Sequence, residues 1–165
     1  AYYKIPDLPK ALEMIDGLIA DYPGDPYFLE LKGQILFENG RIQEAEELYQ
    51  QASDTKPNSA LIRIGLAQAQ LADRPQQKYE AALGNLRRAL VLEPKNAFAW
   101  RLNSVAYGQK GEIGLANLSL AEYMLLTGRK DEAKQKAGIA RKMLEEKSPH
   151  WYRAEDIINE VDNLS

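Results

Sequence analysis

Residues 26–59 read PYFLELKGQILFENGRIQEAEELYQQASDTKPNS, and this stretch decides the fold. It holds two segments of helix-like apolar spacing on either side of Asn39-Gly40-Arg41. Gly40 suits a tight turn between two helices, because positive φ is cheap only for glycine. Gly33 and Ala45 are small where the two helices, A and B, would touch. Pro57 ends the unit because its ring cannot continue a helix. Lys32 stands where an apolar residue is expected, and its stem is long enough to snorkel along the surface.

The same marks recur along the chain. Ala11, Ala45, Ala82 and Ala116 are spaced by 34, 37 and 34 residues, and Pro23, Pro57 and Pro94 by 34 and 37. A period of 34 with Ala mid-unit and Pro at the end is that of the tetratricopeptide repeat (TPR). Residues 26–59 resemble that repeat at Leu29, Gly33, Leu36, Gly40, Ala45, Tyr49, Ala52 and Pro57. The expected fold is all-α: a TPR-like right-handed α-solenoid of antiparallel helix pairs with a C-terminal capping helix, one domain over 1–165.

Its units are a truncated repeat (1–25), a repeat (26–59), a repeat with a longer turn at Asp73-Arg74-Pro75 (60–96), and a repeat at 97–128. An overlapping, half-shifted repeat at 113–147 follows, because Gly111 to Gly128 and Ala116 to Ala133 are both 17 apart. In the 97–128 unit Asn103 takes an apolar position, and either needs a buried partner or lies at the rim. Ser148-Pro149 reads as an N-cap with Pro at the first helical position, opening the cap at 148–165. Its apolar stripe is Trp151, Ala154, Ile157, Ile158, Val161 and Leu164. Aligning Ala11 with Ala45 puts Ala1-Tyr2-Tyr3-Lys4 at the end of a helix A. The expectation is therefore a C-terminal part of a longer protein, cut just inside a repeat.

Composition narrows the function. The formal net charge of −3 shows no basic bias towards nucleic acid. Residues 1–60 carry 11 acids and 5 bases, while the rest carries 13 acids and 16 bases. The bases at 129–147 are diluted by four acids and lack interleaved aromatics, which argues against nucleic acid. No apolar run approaches the roughly 20 residues that span a bilayer. The chain has no cysteine, so disulfides and thiolate metal sites are excluded. The one histidine, His150, is too few for a His-based metal centre, and no HExxH, GxSxG or GxxxxGK[ST] motif is present. No catalytic residue, metal site or cofactor is expected in this chain.

A stack of helix pairs forms a groove from its A helices, and binding a protein or peptide there is the expected function. Positions 2, 5, 9 and 12 of each A helix face it. They are Tyr27, Glu30, Gln34 and Phe37, then Leu61, Ile64, Gln68 and Leu71, then Phe98, Arg101, Val105 and Gly108. Tyr27, Phe37 and Phe98 are the aromatic anchors. The alternative for an apolar residue here is packing on the next unit. TPR domains that grip a chaperone's C-terminal carboxylate place Lys and Asn on successive A helices. The corresponding positions hold Glu30, Gln34, Gly65, Phe98 and Leu102, so no such clamp is expected.

A closer resemblance lies in residues 7–41, 96–129 and 148–158. Its most specific parts are Pro26-Tyr27-Phe28 with Glu30-Leu31-Lys32-Gly33-Gln34, and Ser148-Pro149 with Trp151, Arg153, Ala154 and Asp156. These resemble the C-terminal TPR part of bacterial periplasmic HExxH zinc metallopeptidases of the β-barrel assembly-enhancing protease type. The resemblance implies a periplasmic parent whose zinc domain precedes the repeats. It also implies that the repeats dock outer-membrane β-barrel proteins or their assembly machinery. No zinc ligand of that family has a counterpart here. Two other functions are open: self-association that sets the parent's oligomeric state, for which the truncated first repeat offers apolar surface near Tyr2, Tyr3, Leu8 and Leu12, and a stand-alone adaptor.

Overall fold

The computed structural model describes residues 7–73 and 78–163. Among them are nine α-helices and no strand: α1 (Leu8–Asp21), α2 (Pro26–Glu38), α3 (Ile42–Thr55), α4 (Ala60–Ala72), α5 (Tyr79–Leu92), α6 (Ala97–Lys110), α7 (Ile113–Leu126), α8 (Lys130–Met143) and α9 (Pro149–Asn163). The fold is the all-α array of helix pairs that the sequence predicts. Ala1-Tyr2-Tyr3-Lys4, the turn residues Arg74 and Pro75, and Leu164 lie outside the described residues.

The helices begin in two ways. Those that follow an exit turn are capped by a side chain. Asp25 accepts from Tyr27 N at 2.8 Å, Asn96 from Ala99 N at 3.0 Å, and Ser148 Oγ from Trp151 N at 3.2 Å. Each cap supplies an acceptor to an orphan N–H of the first turn. By contrast, α3, α7 and α8 have no side-chain cap bond. They follow Gly40, Gly111 and Gly128, whose φ values of 81°, 86° and 79° are left-handed. The turn itself delivers the chain into the next helix. Arg41 and Arg129 then each fork onto a carboxylate three residues on, Glu44 and Glu132.

The helices gather in two compact units, Ala1–Leu92 and Glu93–Ser165. In the first, α1 packs on α2, α2 on α3 and α4, α3 on α4, and α4 on α5. Its core joins Leu36, Phe37, Ala45, Tyr49, Leu66 and Ala69. Tyr49 lies between two glycines. A Cβ on Gly33 would stand 3.3 Å from Tyr49 Cζ, and one on Gly65 only 2.4 Å from Tyr49 Cε1. The missing Cβ atoms are what let α2 and α4 accept the ring. Burial pushes the Tyr49 phenol well above its ordinary range.

In the second unit α6 packs on α7, α7 on α8, and α8 on α9, with α9 also reaching α7. Ala133, Ala137 and Ala140 form a small-residue face of α8 that Leu118, Met124 and Ile157 close. Asn103 finds the buried partner it needs: its Nδ2 donates to Ser119 Oγ at 2.9 Å, which donates to the Leu115 carbonyl at 2.9 Å. Lys32 departs from the apolar pattern by reaching Asp16 Oδ1 at 2.6 Å, tying α2 to α1.

Candidate protein-interaction surface

The candidate residues divide by depth. On α2, Tyr27 and Gln34 are exposed and Glu30 is half-buried. Lys56 Nζ lies 4.7 Å from the Tyr27 ring centroid, a cation–π contact that orients the ring. Gln34 Nε2 donates to Glu38 Oε1 at 3.0 Å. Burial raises the Glu30 carboxyl above its ordinary pKa. On α4, Leu61 is 54% exposed and Gln68 is partly buried.

Phe37 and Ile64, expected at the groove, are each only 7% exposed. Leu71 is buried as well. Phe37 belongs to the core cluster of the first unit. For Phe37 the physical reason is the direct packing of α2 on α4: apolar side chains at that contact gain more by leaving water than by lining a surface. Of the expected aromatic anchors in this unit, Tyr27 alone stays accessible.

In the second unit Phe98, Arg101 and Val105 all stay exposed on α6, Phe98 by 41%. Their spacing of three and four residues puts them on one face of the helix. They form an aromatic, cationic and aliphatic row within 8 residues of chain.

The flanks of the stretched α4–α5 turn are tied down. Lys78 Nζ lies 2.8 Å from Glu46 Oε2 and 3.2 Å from the buried Asp73 Oδ2. The bond to Glu46 raises the Lys78 pKa. These residues border an open cleft of about 610 Å³ along α3, lined also by Gln43, Glu47 and Gln50. Among the described residues no three His, Asp or Glu side chains gather as metal ligands, and no helix is long and apolar enough to cross a membrane.

One feature of this surface had a signal in the sequence that the groove pattern passes over. Arg63 is six residues after Pro57, as Trp100 is six after Pro94. Both side chains bond back to that proline: Arg63 Nε donates to the Pro57 carbonyl at 2.6 Å and Trp100 Nε1 to the Pro94 carbonyl at 2.9 Å.

Residues 1–60 and 37–74 match a family model described as the tetratricopeptide repeat. This is the tetratricopeptide-repeat fold. The chain is similar to MamA from Desulfovibrio magneticus RS-1 (residues 41 to the end), with 18% identity, a TM-score of 0.70, and 96% of this chain and 86% of that one covered. It is similar to the first TPR domain of human RPAP3, with 17% identity, a TM-score of 0.59, and 87% and 99% covered. It is also similar to TTC0263, a thermophilic TPR protein of Thermus thermophilus, with 19% identity, a TM-score of 0.56, and 92% and 91% covered. At these identities the likeness is one of fold. No curated protein sequence matches the chain.

Proposed function

We propose that this TPR domain is a protein-interaction module that holds a protein or peptide on its A-helix surfaces. The observation that carries the reading is the α6 row of Phe98, Arg101 and Val105. It leaves two apolar side chains and a cation exposed on a rigid helix, a combination suited to anchoring a partner. Tyr27 and Leu61 offer a second apolar surface on the first unit. The role is binding and not catalysis: the chain has a single histidine, no cysteine and no catalytic motif.

The sequence resemblance takes the reading further. It supports a docking domain of a periplasmic zinc metallopeptidase in outer-membrane protein quality control. The partners are then outer-membrane β-barrel proteins or their assembly machinery, and the zinc belongs to another part of the parent. An HExxH motif encoded upstream of Ala1 supports this assignment, and its absence favours a stand-alone adaptor. Immobilised chain is expected to retain outer-membrane β-barrel proteins from an envelope extract, with clear loss in Phe98→Ala and Arg101→Glu. Retention that neither variant weakens removes the α6 row from the site.

A second reading, self-association, rests on the exposed Met14, Leu18 and Tyr22, which follow one another at four-residue spacing from α1 to its C-cap. Solution mass over a concentration series separates the two. A chain that stays monomeric when concentrated excludes it.

A further inference from the structure

The exposed stripe of α1 has a counterpart on α8. Beside Met14, Leu18 and Tyr22 run Lys10, Glu13, Gly17 and Asp21, all exposed. A Cβ on Gly17 would meet nothing within 4 Å. On α8 an open groove of about 560 Å³ is bordered by Asp131, Lys134, Gly138, Ile139 and Lys142, with Ile158 of α9. A Cβ on Gly138 likewise meets nothing within 4 Å. Two ion pairs frame this groove by tying α8 to α9: Lys134 to Asp162, and Arg141 to Glu155.

The two surfaces agree in spacing and oppose in charge. Lys10, Glu13, Gly17 and Asp21 follow one another at steps of three, four and four residues. Asp131, Lys134, Gly138 and Lys142 follow the same steps. Such steps keep each row on one face of its helix. At a rise of about 1.5 Å per residue, Glu13 and Asp21 stand about 12 Å apart along the axis, and so do Lys134 and Lys142. Two helices laid parallel in this register bring opposite charges together at Lys10–Asp131, Glu13–Lys134 and Asp21–Lys142. All six side chains belong to exposed residues. Lys134 has three donors, so it can hold a second carboxylate beside Asp162. Gly17 then comes opposite Gly138, and with no Cβ on either side the backbones approach closely. The flanking Leu18 and Ile139, both exposed in the single chain, gain by leaving water.

We propose that α1 of one chain docks parallel to α8 of a second copy, at the groove between α8 and α9. The contact joins unlike surfaces, so self-association runs head to tail. The inference rests on the self-association reading above and names the surface that α1 meets.

Sedimentation of the whole chain over a concentration series at low salt tests it, with Gly17→Leu and Gly138→Leu as blocking variants. Both positions have open space for a side chain, so the fold is kept while the added bulk bars close approach. Each variant alone is expected to stay monomeric. An equimolar mixture of the two is expected to form dimers and nothing larger, because each copy retains the surface that the other lacks. Lys142→Glu is expected to weaken association about fivefold, and Asp21→Lys in the same chain to restore it. Association that persists in Gly138→Leu, or a mixture that stays monomeric, would overturn the docking of α1 on α8 while self-association stands. A parent chain that stays monomeric when concentrated would remove self-association itself, and this contact with it.

Discussion

Arg63 and Trp100 occupy the same place in successive repeats, 37 residues apart, and make the same bond. Each reaches back six residues to a proline carbonyl, Arg63 Nε to Pro57 at 2.6 Å and Trp100 Nε1 to Pro94 at 2.9 Å. The exit turn of each repeat is thereby fastened to the first turn of the next A helix. A planar N–H donor on a long, flat side chain satisfies the need, so two chemically unlike residues serve it.

Removing that donor while keeping an aromatic ring isolates its worth. Trp100→Phe is expected to destabilise the fold by about 1 kcal/mol, the net value of one such hydrogen bond. Arg63→Ala is expected to cost about 2 kcal/mol, because the Pro57 carbonyl and Asn85 Oδ1 both lose their donor. Urea unfolding read by circular dichroism measures both. Unchanged midpoints would show that water replaces the bonds without loss.

Two glycine substitutions are expected to move stability in opposite directions. Gly65→Ala puts a Cβ 2.4 Å from Tyr49 Cε1, so the ring or the helix must shift. Overpacking of this kind costs about 1–3 kcal/mol, more than the helix-propensity gain. Gly84→Ala meets nothing within 4 Å on α5 and is expected to stabilise by about 0.5–1 kcal/mol. Thermal unfolding of the pair decides it, and a Gly65→Ala protein as stable as the parent would mean that Tyr49 is loosely held.

The capping helix is fastened by a two-pronged ion pair. Arg153 Nε and Nη2 lie 2.5 and 2.8 Å from the two oxygens of the buried Glu122. Arg153→Met strands that carboxylate and is expected to cost about 2–3 kcal/mol, less than for a fully buried pair because Arg153 is partly exposed. Adding Glu122→Gln should recover most of the loss. A double variant no better than Arg153→Met would place the cost in lost packing of the arginine stem.

Glu30 gives a pH dependence of known sign. Its folded pKa is raised above the ordinary 4.5 by burial, so the folded state holds this proton more tightly than the unfolded chain. Its contribution to stability is therefore fully present below the unfolded value and is lost as pH rises through the folded one. Glu30→Gln should match the parent at pH 4 and exceed it at pH 7 in denaturant midpoint. Equal differences at the two pH values would contradict the burial of this carboxyl.

Helix identity was legible because it depends on local rules. Gly40, Gly111 and Gly128 mark turns wherever they fall, and Ser148-Pro149 opens a helix by its own backbone chemistry. Asn103 could be read as needing a buried partner or as lying at the rim, and its buried bond to Ser119 decides for the first. Depth was less legible. A helix A position offers the same spacing whether its side chain meets solvent or a neighbouring helix, so Phe37 and Leu61 looked alike.

The repeat period, the turn glycines and the helix-opening caps were readable from the residues alone, since each follows from short-range pattern and residue type. Packing between helices sets which apolar residues stay exposed and which polar groups meet. Phe37 turns inward because α2 packs on α4, and Arg63 meets Asn85 because α4 packs on α5. Those outcomes depend on contacts between helices, which repeat spacing brings close but does not orient side chain by side chain.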